Sequence, residues 1–513
     1  MGSSYREKRD VEQVDFGFEE LSHSCNDLVS KKCAKPGKMA KRRLLVPFGL
    51  PFKDLEDISG FTREGGDLYF QVGEMPKDIV GTICLKRMSC HRGVFKKFYP
   101  SERREKMNST LKYLKFIACL TLLMVFILPC VGYPQAKDKI RIGNAIALSG
   151  PYAPPALTTQ INPYDMWVKE VNAKGGIFVK KYGKKLPVEI IRYDDKSDIG
   201  TVVKLVEKLI LDDKVDLLLP PWSTAMNFAI APIVTKYEYP VLGVTVDSMK
   251  IKEIAHTMPY MFLHLNQPPV KAEAIVPLLK ELGVKTAAVI HHADLHGIEF
   301  AGYVTPQLSI GDIDVVMYKT YPMGVKDLSP LLKQVKVADV DALLAFTYPA
   351  ETFLITGQAK AIGLNPKLFY MSIGTAFATY RDTFSANVVE GVMGTGAWNP
   401  KVPYPGAKEF WDRMVQFAGA GKVDWYGNAF AYSSVQVLEQ AIEKAGTLDR
   451  KTIRKVIASN TFNTVIGPVR YENQINVQSP GEVGQWQNGA FEIVAAKAKR
   501  TAQPIYPKPP WPQ

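Results

Sequence analysis

The sequence predicts an α/β protein made of two doubly wound parallel-sheet lobes, and three observations carry that expectation. From Lys139 onward, short apolar runs of strand length alternate with amphipathic segments of helix length, the signature of parallel strands joined by helical crossovers. The alternation persists through most of the chain after Ala136, which gives too many strand-helix units for a single sheet. All six cysteines (Cys25, Cys33, Cys84, Cys90, Cys119, Cys130) precede the alternating region, so that region folds without disulfides, as suits a large exported domain.

The front of the chain is organised differently. A 13-residue apolar run, Phe116 to Leu128, comes after Lys112 and Lys115 and leads into Pro129-Cys130-Val131-Gly132. It has the length of a signal-peptide core and falls short of the roughly 20 residues that span a bilayer as a helix. Residues 107–136 therefore read as a signal peptide or signal anchor starting at Met107, with cleavage after Gly132 or Ala136; Pro129 argues against lipidation of Cys130. Residues 1–106 form an N-terminal extension of unknown role, best explained as a start-site artefact, with a cytosolic appendage as the alternative. His23, Cys25, Cys33, Cys84, Cys90 and His91 lack the paired C-x2-C spacing of a zinc site. The chain beyond residue 136 is expected in the periplasm or otherwise outside the cytoplasm.

Within 137–513, IRIGNAIALS reads as the first strand and Asn162 to Asn172 as a helix ended by Lys174-Gly175-Gly176. LPVEIIRYDD is the next strand, Thr201 to Leu211 a helix with Val202, Leu205, Val206, Leu209 and Ile210 on one face, and DLLLP a buried strand. Phe228 to Tyr237, PVLGVTV, Ala272 to Leu282, TAAVIHH, DALLAFTY and KLFYMS continue the pattern. The expected division is a first lobe of about 137–260 plus 395–465 and a second of about 261–394 plus 466–513. In such sheets ligands sit beyond the carboxyl ends of strands where the winding reverses, so the loops after LLLPP, PVLGVTV, AVIHH, LLAFTY and FYMS are the candidate ligand loops.

Charge and motifs narrow the function. The net charge is +13, but the exported part holds no basic stripe, so nucleic acid is not an expected partner. There is no G-x-S-x-G, no P-loop, and one glycine only in Leu148-Ser149-Gly150-Pro151-Tyr152 where a dinucleotide turn would need several. His291-His292-Ala293-Asp294-Leu295-His296 offers zinc-competent ligand types without an HExxH pattern, and Asp194, Asp195 and Asp198 fit helix capping better than a cation loop. Catalytic and metal residues are therefore expected to be none. Trp222-Ser223-Thr224 and Thr245-Val246-Asp247 end successive strands with hydroxyls, free N–H groups and an aromatic, which suits binding of a carboxylate.

IRIGNAIALSGPYA, EVNAKGGI, VEIIRYDDKSD, VEKLILDDKVDLLLPPWSTA, APIVTKYEYPVL, Gly467-Pro468-Val469-Arg470-Tyr471 and the closing QWQNGAFEIVAAK and IYPKPPW together resemble the type I periplasmic solute-binding proteins of branched-chain (hydrophobic) amino acid ABC transporters. The resemblance covers about 139–513. It implies a clamshell with three crossover strands that closes on a small solute and docks on an ABC permease in the membrane, as a monomer with no cofactor and no catalysis. Carried over by position, Tyr152 is the aromatic of the first strand loop, Ser223 and Thr224 the hydroxyl pair for the ligand carboxylate, and Thr245, Val246 and Asp247 the loop opposite. Tyr348 matches the cleft tyrosine, and His296 stands where a tyrosine often precedes the glycine, here Gly297. One departure matters: the loop that supplies an acid for the ligand's ammonium group reads Ser372-Ile373-Gly374-Thr375, where Gly374 and Thr375 remain ligand candidates and Asp247 is a substitute acid. The solute is left open between an amino acid and an aromatic or aliphatic carboxylate or amide, Trp222 and Tyr348 suiting a ring. The competing functions are a ligand-sensing clamshell acting through a signalling partner and, less well supported, a metal enzyme built on the histidine cluster.

Overall fold

In the computed structural model the described residues are 61–64, 67–70, 137–250, 253, 256–396, 398–479 and 481–512. The expectations for the N-terminal extension, its zinc-type residues and the 107–136 signal lie outside them, except for an antiparallel hairpin, Phe61–Glu64 with Asp67–Phe70. The other described residues belong to the unit Cys130–Gln513. Among the described residues no helix is long and apolar enough to cross a membrane.

The first lobe opens with β1 (Ile140–Ile146), α1 (Asn162–Ala173), β2 (Val188–Asp194), α2 (Ile199–Leu211), β3 (Leu217–Leu219), α3 (Thr224–Lys236), β4 (Val241–Gly243) and β5 (Met261–Leu263). Its strands pair in parallel in the order β2-β1-β3, and β4 pairs in parallel with β5. The helices start where the chemistry allows. Asp198 accepts from Thr201 N at 2.7 Å and Ser223 from Met226 N at 3.3 Å, each satisfying an N–H that has no partner within its helix.

The second lobe runs α4 (Pro268–Glu281), β6 (Thr286–His292), α5 (Leu295–Ile310), β7 (Asp314–Tyr321), α6 (Ser329–Ala338), β8 (Ala342–Phe346), α7 (Pro349–Ile362), β9 (Leu368–Met371) and β10 (Met393–Thr395). The chain then adds α8 (Ala407–Ala418), α9 (Gly427–Ala445), α10 (Arg450–Ser459), β11 (Thr461–Thr464), β12 (Gly467–Glu472) and β13 (Ile475–Asn476) to the first lobe. It ends with β14 (Val483–Gln487) and β15 (Ala490–Ala495) in the second. The second-lobe sheet has the order β7-β6-β8-β9-β10-β14-β15, parallel up to β10 and antiparallel beyond. All five residues of β8 are buried, as expected of a central strand covered on both faces by helices; truncating Leu343 or Leu344 to Ala would cost about 2–5 kcal/mol.

The lobe boundaries differ from the sequence expectation. Strand β5 pairs with β4, and Ile475 of β13 pairs with Leu263 of β5, so 261–263 and 466–476 belong to the first lobe. The crossings therefore fall between β5 and α4, between β10 and α8, and between β13 and β14. The cause is non-local: Ile475 of β13 finds its partner, Leu263, some two hundred positions earlier.

Both sheets reverse their winding beside their first strand, between β1 and β3 and between β6 and β8. Ligand crevices form at such points, because the loops there leave in opposite directions. The loops after β1, β3, β6 and β8 carry Tyr152, Trp222 to Thr224, Asp294 to His296, and Tyr348.

Candidate ligand-binding site

These loops meet at a cavity of about 40 Å³ between the lobes. Trp222, Ser223, Thr224, Thr245, Asp247 and Leu265 line it from the first lobe, and His296, Tyr348 and Ile373 from the second. A volume near 40 Å³ holds a few waters, so a larger solute needs the lobes further apart than they are here. Four helix N-termini converge on the cavity, those of α3, α5, α7 and α9, and their summed partial positive charge favours an anionic group.

One wall is aromatic. The Trp222 ring lies 5.2 Å from Tyr152 and 5.3 Å from Tyr348, and His296 stacks on Tyr348 at 5.3 Å with only 9° between the planes. Tyr152 is half-buried and stands behind this wall, and its loop is pinned by Asp194, which accepts from Leu148 N, Ser149 N and Ser149 Oγ. Burial works against that carboxylate, but these hydrogen bonds and one from Lys196 N hold its pKa at about 2. Trp222 Nε1 in this wall is buried with no hydrogen-bond partner, and the Tyr348 hydroxyl, buried beside Asp294 and Thr224, makes no hydrogen bond of good geometry. Burial, then Asp294 and Tyr152, push the Tyr348 phenol well above its ordinary range, so it stays a protonated donor.

The hydroxyls differ in availability. Thr224 Oγ1 donates to Thr245 O and accepts from Asp247 N at 3.1 Å, while Thr245 Oγ1 accepts from Ser223 N at 3.1 Å. Both build the site rather than face a solute. Ser223 Oγ accepts from Met226 N and stands beside the Tyr152 phenol, and its backbone sits at φ +92°, a strained conformation of the kind that collects at ligand clamps.

Across the lobes, Asp247 Oδ2 lies 2.8 Å from Lys271 Nζ and 2.6 Å from His296 Nδ1, with all three side chains at most 3% exposed. Burial alone would raise the Asp247 pKa, but Lys271 and then His296 more than offset it, so it stays below the usual carboxylate range. Burial holds the Lys271 ammonium below its ordinary value against the pull of Asp247, and Phe300 lends it a ring face at 5.3 Å. A second tie lies beside this one: Glu299 of α5 accepts from Ser248 Oγ and, at 2.6 Å, from Met249 N.

The remaining sequence candidates sit elsewhere. Val246 is fully buried in the first-lobe core. Gly374, at φ +97°, packs against Pro349 so closely that a Cβ would lie 2.7 Å from Pro349 Cα, and Thr375 Oγ1 donates to Met371 O. Neither Gly374 nor Thr375 lines the cavity; Ile373 does. The histidines of the cluster turn to different partners, although the rings of His292 and His296 meet edge to face at 5.4 Å: His291 bonds Thr320, His292 bonds Met323 Sδ and packs on Tyr348, and His296 bonds Ser372 through Nε2. Sequence reasoning misses Lys271, Ser372, Thr159, Asp424, Tyr426 and Gly427. Lys271 and Ser372 support His296 and Asp247, and the other four line the cavity.

Two doubly wound lobes, three crossings and a largely apolar cavity with a few polar groups at the paired switch points define a two-lobed solute-binding clamshell. Residues 139–490 match the periplasmic binding protein family, and the chain belongs to it; members of that family are solute-binding proteins, not enzymes. The chain is 24% identical over 352 residues to the leucine-, isoleucine-, valine-, threonine- and alanine-binding protein of Pseudomonas aeruginosa, covering 67% of this chain and 88% of that one. Among solved structures it is similar to the branched-chain amino acid transporter substrate-binding protein LivJ of Streptococcus pneumoniae in complex with isoleucine, with a TM-score of 0.62, 19% identity and coverage of 72% and 100%. It is equally similar to a solute-binding protein of an ABC transporter from Rhodopseudomonas palustris in complex with p-hydroxybenzoic acid, with a TM-score of 0.60, 19% identity and coverage of 73% and 99%. Those likenesses establish the fold, in keeping with the branched-chain group that the sequence motifs resemble.

Proposed function

We propose that this protein is the extracytoplasmic solute receptor of an ABC importer, taking up an amino acid or a related small carboxylate or amide between its lobes and handing it to a membrane permease. It is exported by the 107–136 segment and works as a monomer. The observation that carries this reading is the placement of two buried, unsatisfied donors, Trp222 Nε1 and the Tyr348 hydroxyl, in a cavity closed by ion pairs between the lobes. Solute enters the open cleft, engages Ser223 and the neighbouring N–H groups, and closure brings Tyr348 and His296 over it, a population shift set by the solute's preference for the closed form.

The test is a thermal-shift screen against amino acids, amides and aromatic and aliphatic carboxylates, with calorimetry on each hit. A solute at 100 times its Kd adds about 2.7 kcal/mol of stability. Ser223→Ala should weaken binding of a hit about tenfold, and an unchanged Kd would remove Ser223 from the site.

A further inference from the structure

Asp247, the acid that the sequence offers for a solute's ammonium group, is already paired from within by Lys271 and held against His296. The same cavity holds a second carboxylate. Asp424 is 3% exposed, lines the cavity beside Thr159, Tyr426 and Gly427, and lies in a segment fixed by the second lobe through Ala378 N to Val423 O and Trp425 N to Ala376 O. It accepts from Tyr426 N at 3.0 Å, Thr159 Oγ1 at 3.2 Å and the Gly427 backbone. Among the described residues no Lys, Arg or His stands within ion-pair distance of it. Residue 427 has no side chain, and a Cβ there would lie 2.1 Å from Asp424 Oδ2, so glycine keeps the carboxylate uncovered.

Capping of α9 explains part of this arrangement but not its depth. Asp198 and Asp449 cap α2 and α10 from exposed positions, where hydrogen bonds from Thr201 and Thr452 lower their pKa values. Asp424 does similar work fully buried, and burial pushes it up to about 6, still mostly ionised at neutral pH. A helix start needs no buried charge, and a buried charge without a counter-ion is costly.

We propose that Asp424 receives a protonated amine of the solute, while the solute's acceptor end takes the free donors Trp222 Nε1 and Tyr348 Oη. The inference rests on the receptor reading and selects, within it, solutes that carry both groups.

The experiment titrates the full-length protein with matched pairs that differ only in the amine: L-alanine and propanoate, L-valine and 3-methylbutanoate, L-leucine and 4-methylpentanoate, L-phenylalanine and 3-phenylpropanoate. The expected result is binding by at least one amine member, with its deaminated partner about 100-fold weaker or worse because Asp424 is then buried unpaired. Asp424→Asn should weaken the amine member about 10- to 100-fold and narrow the gap within the pair. Equal affinity within a pair, measured on the unaltered protein and so independent of any folding defect, overturns the role of Asp424 and leaves the receptor reading standing. An Asp424→Asn variant that binds the amine unchanged does the same. Binding by no member of any pair overturns this proposal, and silence across the wider panel of amides and aromatic carboxylates overturns the receptor reading as well.

Discussion

Two ends of one cleft treat a buried carboxylate in opposite ways. At the Val244–Asp247 end, Asp247 meets Lys271 and His296 from the second lobe, so its charge is balanced inside the protein. At the Val423–Gly427 end, Asp424 meets only a hydroxyl and backbone N–H groups. The first end acts as a clasp that draws the lobes together; the second holds an unbalanced charge where a solute can reach it. Charge in a binding cleft therefore cannot be assigned to ligand recognition until its internal partners are counted.

The sharpest way to break this contrast is to strip the clasp. Lys271→Met keeps the side-chain volume but leaves Asp247 buried against a single imidazole, which should cost about 3–5 kcal/mol. Urea unfolding monitored by tryptophan fluorescence should show the midpoint fall, and adding Asp247→Asn should restore most of it, because the pair and not the lysine alone is what the fold requires. A single variant as stable as the parent would mean that water, not Lys271, balances Asp247.

Asp424 should respond in the other direction. Its folded pKa of about 6 lies above the ordinary 3.8, so the folded state binds the proton more tightly than the unfolded chain. The carboxylate therefore costs stability above pH 6, roughly 2–3 kcal/mol, and that cost fades as the pH falls toward 4. The titratable groups sharing its cavity are Asp247, His296, Tyr348 and Tyr426, and Asp247 and His296 are paired with each other. Asp424→Asn should raise the solute-free unfolding midpoint at pH 7 and lose that advantage near pH 4. A variant less stable than the parent at pH 7 would make Asp424 a structural cap.

The contrast also marks what a sequence can carry. Alternating apolar runs locate the strands and helices, the reversal rule points to the loops and the family resemblance picks Tyr348 and His296 within them; Trp222, Ser223, Thr224, Thr245, Asp247, His296 and Tyr348 line one cavity. Pairing is another matter. Lys271 falls at the start of an amphipathic helix and looks like any surface lysine, yet it is 1% exposed, because its partner arrives only when the lobes close. Asp424 precedes Trp425-Tyr426-Gly427, a local pattern that signals a helix start, while its depth depends on segment 376–378 of the other lobe. Gly374 and Thr375 lie outside the cavity lining for the converse reason: they come just past a strand end, but the turn at φ +97° packs them against Pro349 and the sheet.

The smallest expected effect tests the donor side. The Tyr348 hydroxyl is buried without a partner, facing Asp294 and Thr224 at the N-terminus of α7. Removing an unsatisfied buried group relieves its desolvation, so Tyr348→Phe should leave the solute-free protein as stable or up to about 1 kcal/mol more so. The ring stays, so its stacking on His296 and packing on Trp222 are kept. With solute present the balance reverses, since the hydroxyl then makes its one hydrogen bond; calorimetry on a thermal-shift hit should show affinity down about five- to tenfold. Loss of stability without solute would show that Tyr348 already bonds within the protein, which would leave Trp222 as the lone donor awaiting an acceptor at this end of the cleft.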